Sequence, residues 1–158
     1  MSDAVERFAQ ACRQLGLSPQ VRRFPPGTKT ATDAAEAIGC EVGQIVKSLI
    51  FSGDGTAVLA LTSGANRVDE GKLAALICAS HVRRATPEEA REATGFAVGG
   101  TPPFAYADAL SAFCDPDLLV YDEVWAAAGT PDSVFPLGPE DLLRLSRATV
   151  ASFTVAIT

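Results

Sequence analysis

Two features of the chain could do chemistry without a conventional catalytic motif. The first is Lys47, at the entry of an otherwise apolar run, Lys47-Ser48-Leu49-Ile50-Phe51. If the run is a strand, two-residue alternation puts Lys47 on one face with Leu49 and Phe51. An ammonium there either snorkels to water at a sheet edge or points into a cleft, and the pattern alone favours the snorkel. The second feature is Gly99-Gly100-Thr101-Pro102-Pro103. Glycines let the backbone approach a ligand closely, and the two prolines stiffen the far end of the segment. Such a loop can hold N–H and C=O groups at fixed positions with no catalytic side chain. Taken alone, the same residues also read as a structural turn.

Other chemistries find little support. Cys12, Cys40, Cys78 and Cys114 include no two at a short ligand spacing, against a zinc knuckle or a redox pair. Each has apolar neighbours, so all four are expected to be buried and reduced. His81 is the only histidine, which excludes a multi-histidine metal site and leaves it as a residue at a strand start. There is no phosphate-cradling loop ending in Gly-Lys-Ser/Thr and no GxSxG elbow. Gly95, Gly99 and Gly100 do not make a dinucleotide fingerprint. No metal and no organic cofactor is expected.

These residues must be positioned by one domain spanning 1–158, since 158 residues suit a single core. At 47% hydrophobic and 20% charged residues, the composition is that of a soluble globular protein. No apolar run is long enough to cross a bilayer. The opening Met-Ser-Asp-Ala-Val-Glu-Arg-Phe lacks a signal pattern, so a cytoplasmic location is expected. A net charge of -6 argues against coating long nucleic acid, and neither DNA nor membrane is expected as a partner. Arg22, Arg23 and Lys29, Arg83 and Arg84, and Arg144 and Arg147 form small basic clusters. Each by itself reads as a solvated face, yet together they leave room for one end of an RNA.

The periodicity predicts a helix over 3–16, with Val5, Phe8, Ala9, Cys12 and Leu15 as its buried stripe. An extended piece at 19–24 ends at Pro25-Pro26-Gly27, and a helix at 32–38 ends at Gly39. A helical turn near 43–46 leads into the Lys47 strand, which Asp54-Gly55 folds back onto 56–62 as a hairpin. A helix over 69–77 capped by Asp69 precedes a strand at 81–85. Thr86-Pro87-Glu88-Glu89 opens a further helix that ends at Gly95. Residues 96–104 are irregular. Strands are expected near 111–115, 119–128 and 133–137, then a helix that Leu137-Gly138-Pro139-Glu140-Asp141 starts and that runs through about Arg144, and a β-prone tail over 149–156. This series is α+β rather than a regular βαβ repeat: a mixed, mostly antiparallel sheet flanked by helices.

The order of the pieces resembles the YbaK/prolyl-tRNA synthetase-associated domain family, the editing domains that hydrolyse mischarged aminoacyl-tRNA. Thr30-Ala31-Thr32-Asp33-Ala34-Ala35 followed by Ile38-Gly39 is similar to that family's early helix entry. Gln44-Ile45-Val46 and the run from Lys47 resemble its lysine-bearing strand. Ser63-Gly64-Ala65-Asn66-Arg67-Val68-Asp69 resembles its loop and helix cap. Gly95-Phe96 and the run from Gly99 to Pro103 resemble its substrate loop, and Tyr121-Asp122-Glu123-Val124-Trp125 through Gly129 its late strand and turn.

The resemblance implies a YbaK-like fold with a curved, barrel-like sheet and no metal. It makes Lys47 the functional lysine and wraps the loop of Gly99, Gly100, Thr101 and Pro103 around the aminoacyl group. Thr30 and Gly129 are implied in the pocket. Asn66 stands where many relatives carry another polar residue, and it is taken as a substrate-binding position. The activity implied is hydrolysis of the ester of mischarged tRNA in trans, for small amino acids such as alanine, cysteine or serine and for tRNA-Pro. The partners are then the acceptor end of aminoacyl-tRNA and an aminoacyl-tRNA synthetase. The alternative is a non-catalytic module that binds the aminoacyl end beside a synthetase.

Overall fold

In the computed structural model, residues 3–25, 27–28 and 30–157 are described. Pro26 and Lys29 lie outside the described residues, so the Pro-Pro-Gly break and the first basic cluster are seen only in part. Helix α1 (Asp3–Gln14) leads to the short strand β1 (Arg22–Arg23) and helix α2 (Ala31–Ile38). A 3-10 turn, Val42–Gln44, enters β2 (Ile45–Gly53), followed by β3 (Thr56–Ser63), β4 (Asn66–Val68) and α3 (Glu70–Ile77). Then come β5 (Val82–Arg84), α4 (Pro87–Thr94), β6 (Ser111–Cys114) and a second 3-10 turn, Pro116–Leu118. The chain finishes with β7 (Val124–Ala127), β8 (Ser133–Leu137), α5 (Pro139–Ser146), β9 (Thr149–Val150) and β10 (Thr154–Ala156).

The local chemistry explains most of these limits. Thr30 and Thr86 each cap a helix through a reciprocal bond with Asp33 and Glu89, and Asp69 accepts from the Lys72 N–H. Asp54 and Gly55 both adopt positive φ (49° and 90°), the two-residue turn whose twist matches a hairpin. Several expectations fail. Leu15 lies beyond the end of α1 and is 43% exposed. The strand expected over 119–128 shrinks to β7, because Asp115 and Pro116 start a 3-10 turn ahead of it. Asn66–Val68, read as loop, pairs with β10 as a strand, a long-range partnership that no local pattern announces. The cysteines also divide. Cys12 and Cys114 are buried, Cys40 is partly covered, and Cys78 is exposed in the left-handed turn that ends α3.

The main sheet has the order β1-β8-β7-β2-β3-β6-β9, with β5 also on β2. The β2–β7, β3–β6 and β6–β9 pairs are parallel and the others antiparallel. The sheet is open, with β1 and β9 as edges, and no closed barrel forms. One irregularity shapes the site. β3 pairs with β2 along Val46–Gly53, but on the other side β7 reaches only Ile45 and Val46, and β5 begins at Phe51. Ala85 N–H closes onto Ile50 O. Between these contacts, residues 47–49 of β2 have no neighbouring strand on that side among the described residues.

The largest core cluster packs α1 and the irregular segment before β6 against the sheet. Phe8, Phe104 and Phe135 meet there with ring centroids 5.0–6.1 Å apart. Phe104 directly succeeds the Gly-Pro loop, so the aromatic cluster anchors that loop to the core. The loop's other support is a backbone contact. A Cβ on Gly100 would lie 2.6 Å from Thr130 Cα, and one on Gly129, at φ 119°, 2.7 Å from Ala4 O. Only glycine permits either approach.

Two outcomes are expected from urea denaturation. Phe104→Ala should destabilise the protein by about 3–5 kcal/mol, the usual range for an aromatic removed from a core. Gly129→Ala should cost about 1–3 kcal/mol, because the strained φ and the clash with α1 coincide. An unchanged midpoint for Gly129→Ala would show that α1 moves aside freely.

Candidate active site

The gap beside residues 47–49 of β2 opens into a cavity of about 410 Å³. Lys47, Thr30, Gly99 and Thr101 all line it. Lys47 sits on an interior strand of the sheet, so the expected snorkel at a sheet edge does not occur. Its side chain is half-buried, and Nζ donates to the main-chain oxygen of Asn66. One ammonium N–H is thereby committed, and two remain for whatever enters the cavity. Burial first, and then the nearby Arg84 guanidinium, push the Lys47 amine below its ordinary pKa, while Asp115 opposes them.

The loop contributes backbone rather than side chains. The Gly100 N–H and the Thr101 hydroxyl both donate to Ala97 O, at 3.0 and 3.1 Å. This fixes the turn and commits the Gly100 N–H. Among the described residues, the N–H groups of Gly99 and Thr101 meet no protein acceptor. Pro103 is buried behind the loop and does not line the cavity. Gly129 is likewise outside the lining and acts as the seat on which Gly100 rests. Thr30 lines the cavity while its hydroxyl accepts the Asp33 N–H. Asn66 is 5% exposed and turns its amide away, donating to Asp115 Oδ2 and Asp117 Oδ2, both at 2.8 Å. It meets Lys47 only through its carbonyl.

Several cavity residues carry no signal in the sequence. Phe24, Ala34, Trp125 and Val134 supply an apolar wall, and each looks in sequence like ordinary core. Arg84 lines the cavity and lies over the Phe51 ring at 5.6 Å. Its neighbour Arg83 is bound at 2.8 and 2.9 Å by both oxygens of Glu89, whereas Arg84 makes no ion pair among the described residues. Ser48 also lines the cavity, and its hydroxyl is buried without a hydrogen-bond partner among the described residues. His81 is exposed beside Asp54, away from the cavity lining. Among the described residues no group of three or more His, Cys, Asp or Glu is placed to hold a metal ion. Among them, too, no helix is long and apolar enough to cross a membrane.

A cavity that pairs a partly dehydrated ammonium with uncommitted main-chain donors suits a carbonyl that gains negative charge. Comparison with known proteins bears on which carbonyl. Residues 25–145 match the family model of the aminoacyl-tRNA editing domain. An uncharacterised Bacillus subtilis protein, YwhH, is 30% identical over 87% of this chain and 87% of its own length. A proline–tRNA ligase from Maridesulfovibrio salexigens is 32% identical over 68% of this chain, which spans only 18% of that ligase. A crystal structure described as that of a candidate trans-editing enzyme for prolyl-tRNA synthetase superposes with a TM-score of 0.93. It is 47% identical, over 99% of both chains. The chain belongs to the family of aminoacyl-tRNA editing domains.

Proposed function

We propose that the protein is a trans-acting aminoacyl-tRNA deacylase. It hydrolyses the ester that joins a wrong, small amino acid, such as alanine, cysteine or serine, to the terminal ribose of tRNA-Pro. The observation that carries this reading is that Lys47, Gly99 and Thr101 line one cavity, with the Lys47 ammonium held at the Asn66 carbonyl. The proline–tRNA ligase relatives and the structural neighbour of equal length support the choice of tRNA and action in trans. A cytoplasmic location goes with this role, because aminoacyl-tRNA is made and used there.

The ester is already activated, so the site needs no nucleophile–base pair. Water attacks the carbonyl carbon, oriented by the neighbouring ribose hydroxyl, and proximity supplies much of the acceleration. Negative charge grows on the carbonyl oxygen and meets Lys47 together with the Gly99 and Thr101 N–H groups. Collapse expels the ribose oxygen, which takes up the proton given up by the attacking water, and the free amino acid departs. The apolar wall selects by size. One methylene is worth only ~1–3 kcal/mol in such a pocket, which is why a synthetase that confuses small amino acids needs a second check.

A panel of mischarged tRNAs, assayed for released amino acid, tests the activity. The expected result is release from a small-residue tRNA-Pro and none from correctly charged prolyl-tRNA. Binding without release across the whole panel would replace this reading with a non-catalytic module. Lys47→Ala should lose on the order of 100- to 1000-fold in rate, the usual effect of removing one charge-stabilising donor. Because the amine titrates below the ordinary lysine range, the protonated form is lost earlier as pH rises. After subtraction of uncatalysed hydrolysis, activity should therefore fall on the alkaline side at a pH below that of a free lysine. A rate that is flat there would separate the ammonium from catalysis.

A further inference from the structure

Asp115 is a fully buried carboxylate that the reaction itself does not use, 0% exposed at the end of β6. Its oxygens hold the turn between β3 and β4. Oδ2 accepts the Ser63 N–H at 3.1 Å and the Asn66 side-chain amide at 2.8 Å, so it grips both ends of the Gly64-Ala65 link. Oδ1 accepts the Asp117 N–H at 3.0 Å, and the Asp115 N–H donates to Leu61 O at 2.9 Å, which ties the carboxylate to β3 as well. The Ser63 hydroxyl donates to Gly43 O at 2.8 Å and accepts the Ala65 N–H at 3.3 Å. The turn is thus tied down along its length, and its product is one oriented carbonyl, that of Asn66, at the tip of Lys47.

We propose that Asp115 is the positioning residue for Lys47: through Asn66 it holds the carbonyl that receives the ammonium and so aims the remaining two N–H groups into the cavity. The proposal rests on the deacylase reading only for its consequence in rate. A lysine side chain has four flexible bonds, and one fixed acceptor removes most of that freedom. A misplacement of about 1 Å in such a group can cost on the order of 100-fold in rate. The charge of Asp115 acts in the same sense, since it favours the ammonium against burial and against Arg84 of β5, the cation that faces Lys47. Asp117, the other carboxylate on Asn66, accepts from the same amide at 2.8 Å but is exposed to water, and its link to Asp115 is a main-chain N–H that Asp117→Asn keeps.

The test uses Asp115→Asn, Asn66→Ala and, as a control, Asp117→Asn, each checked for an intact fold by near-UV circular dichroism. The sequence holds only three lysines, Lys29, Lys47 and Lys72, so labelled lysine side chains can be titrated one by one by NMR. In Asp115→Asn the Lys47 midpoint should fall further below wild type, while the other two stay in place. In the deacylation assay Asp115→Asn and Asn66→Ala should lower kcat by about 10- to 100-fold with KM little changed, and Asp117→Asn should stay close to wild type. If Asp115→Asn does not fold, Asn66→Ala carries the kinetic arm. There the Lys47 resonance of the folded variant should move or broaden relative to wild type. Folded variants with wild-type Lys47 titration and wild-type kcat would overturn the proposal while leaving the deacylase reading intact. A shifted Lys47 midpoint in a protein that deacylates nothing would uphold the positioning role and sink the deacylase reading instead.

Discussion

The site depends on an interrupted strand edge. β2 is paired along one side by β3, but on the other side β7 stops at Val46 and β5 starts at Phe51. A continuous partner strand would close the space beside residues 47–49, and Lys47 would be enclosed by sheet. A missing β3 would leave the lysine on a flexible edge. With one side paired and the other open, the backbone is held rigidly while the space next to it stays empty. Groups on a rigid element are held more accurately than groups on a loop. That suits a site whose chemistry depends on placement rather than on a strong nucleophile.

Opposite this edge stands a loop that is irregular yet firmly seated. Gly100 rests on the Gly129-Thr130 turn and Gly99 faces Pro131, Ala97 O gathers two of the loop's donors, and Phe104 fixes its far end in the aromatic cluster. The two walls thus owe their positions to different forces. β2 is held by a hydrogen-bonded ladder, and the loop by close backbone contact and apolar burial. Both supports of the loop converge on α1, since Phe8 packs on Phe104 and Ala4 blocks any side chain at residue 129. The first helix, which lines no part of the cavity, is nevertheless what keeps the loop in place.

Electrostatics inside the cavity are unbalanced. Two cations, Lys47 and Arg84, line it and no carboxylate among the described residues does, while Asp115, whose charge acts on Lys47, is fully buried outside the lining. An incoming anion or a developing oxyanion finds donors already oriented and little competing negative charge. The surrounding apolar residues lower the local dielectric and strengthen that attraction.

Local sequence was enough to specify most of the elements. Helix limits set by Thr86, Asp69 and Gly39, the hairpin at Asp54-Gly55 and the α+β mixture were legible because each depends on neighbours within a few residues. So was the pairing of one unusual lysine with one unusual loop, since residue type and order carry it. Whether Lys47 reached water or a cleft was settled only by the assembled sheet, because that turns on which strands lie beside β2. Long-range packing also made Asn66 offer a carbonyl rather than its amide, made Asn66–Val68 a strand, and turned Trp125 and Phe24 toward a cavity instead of a sealed core. Contacts between residues far apart in the chain create these properties, and no local pattern encodes them.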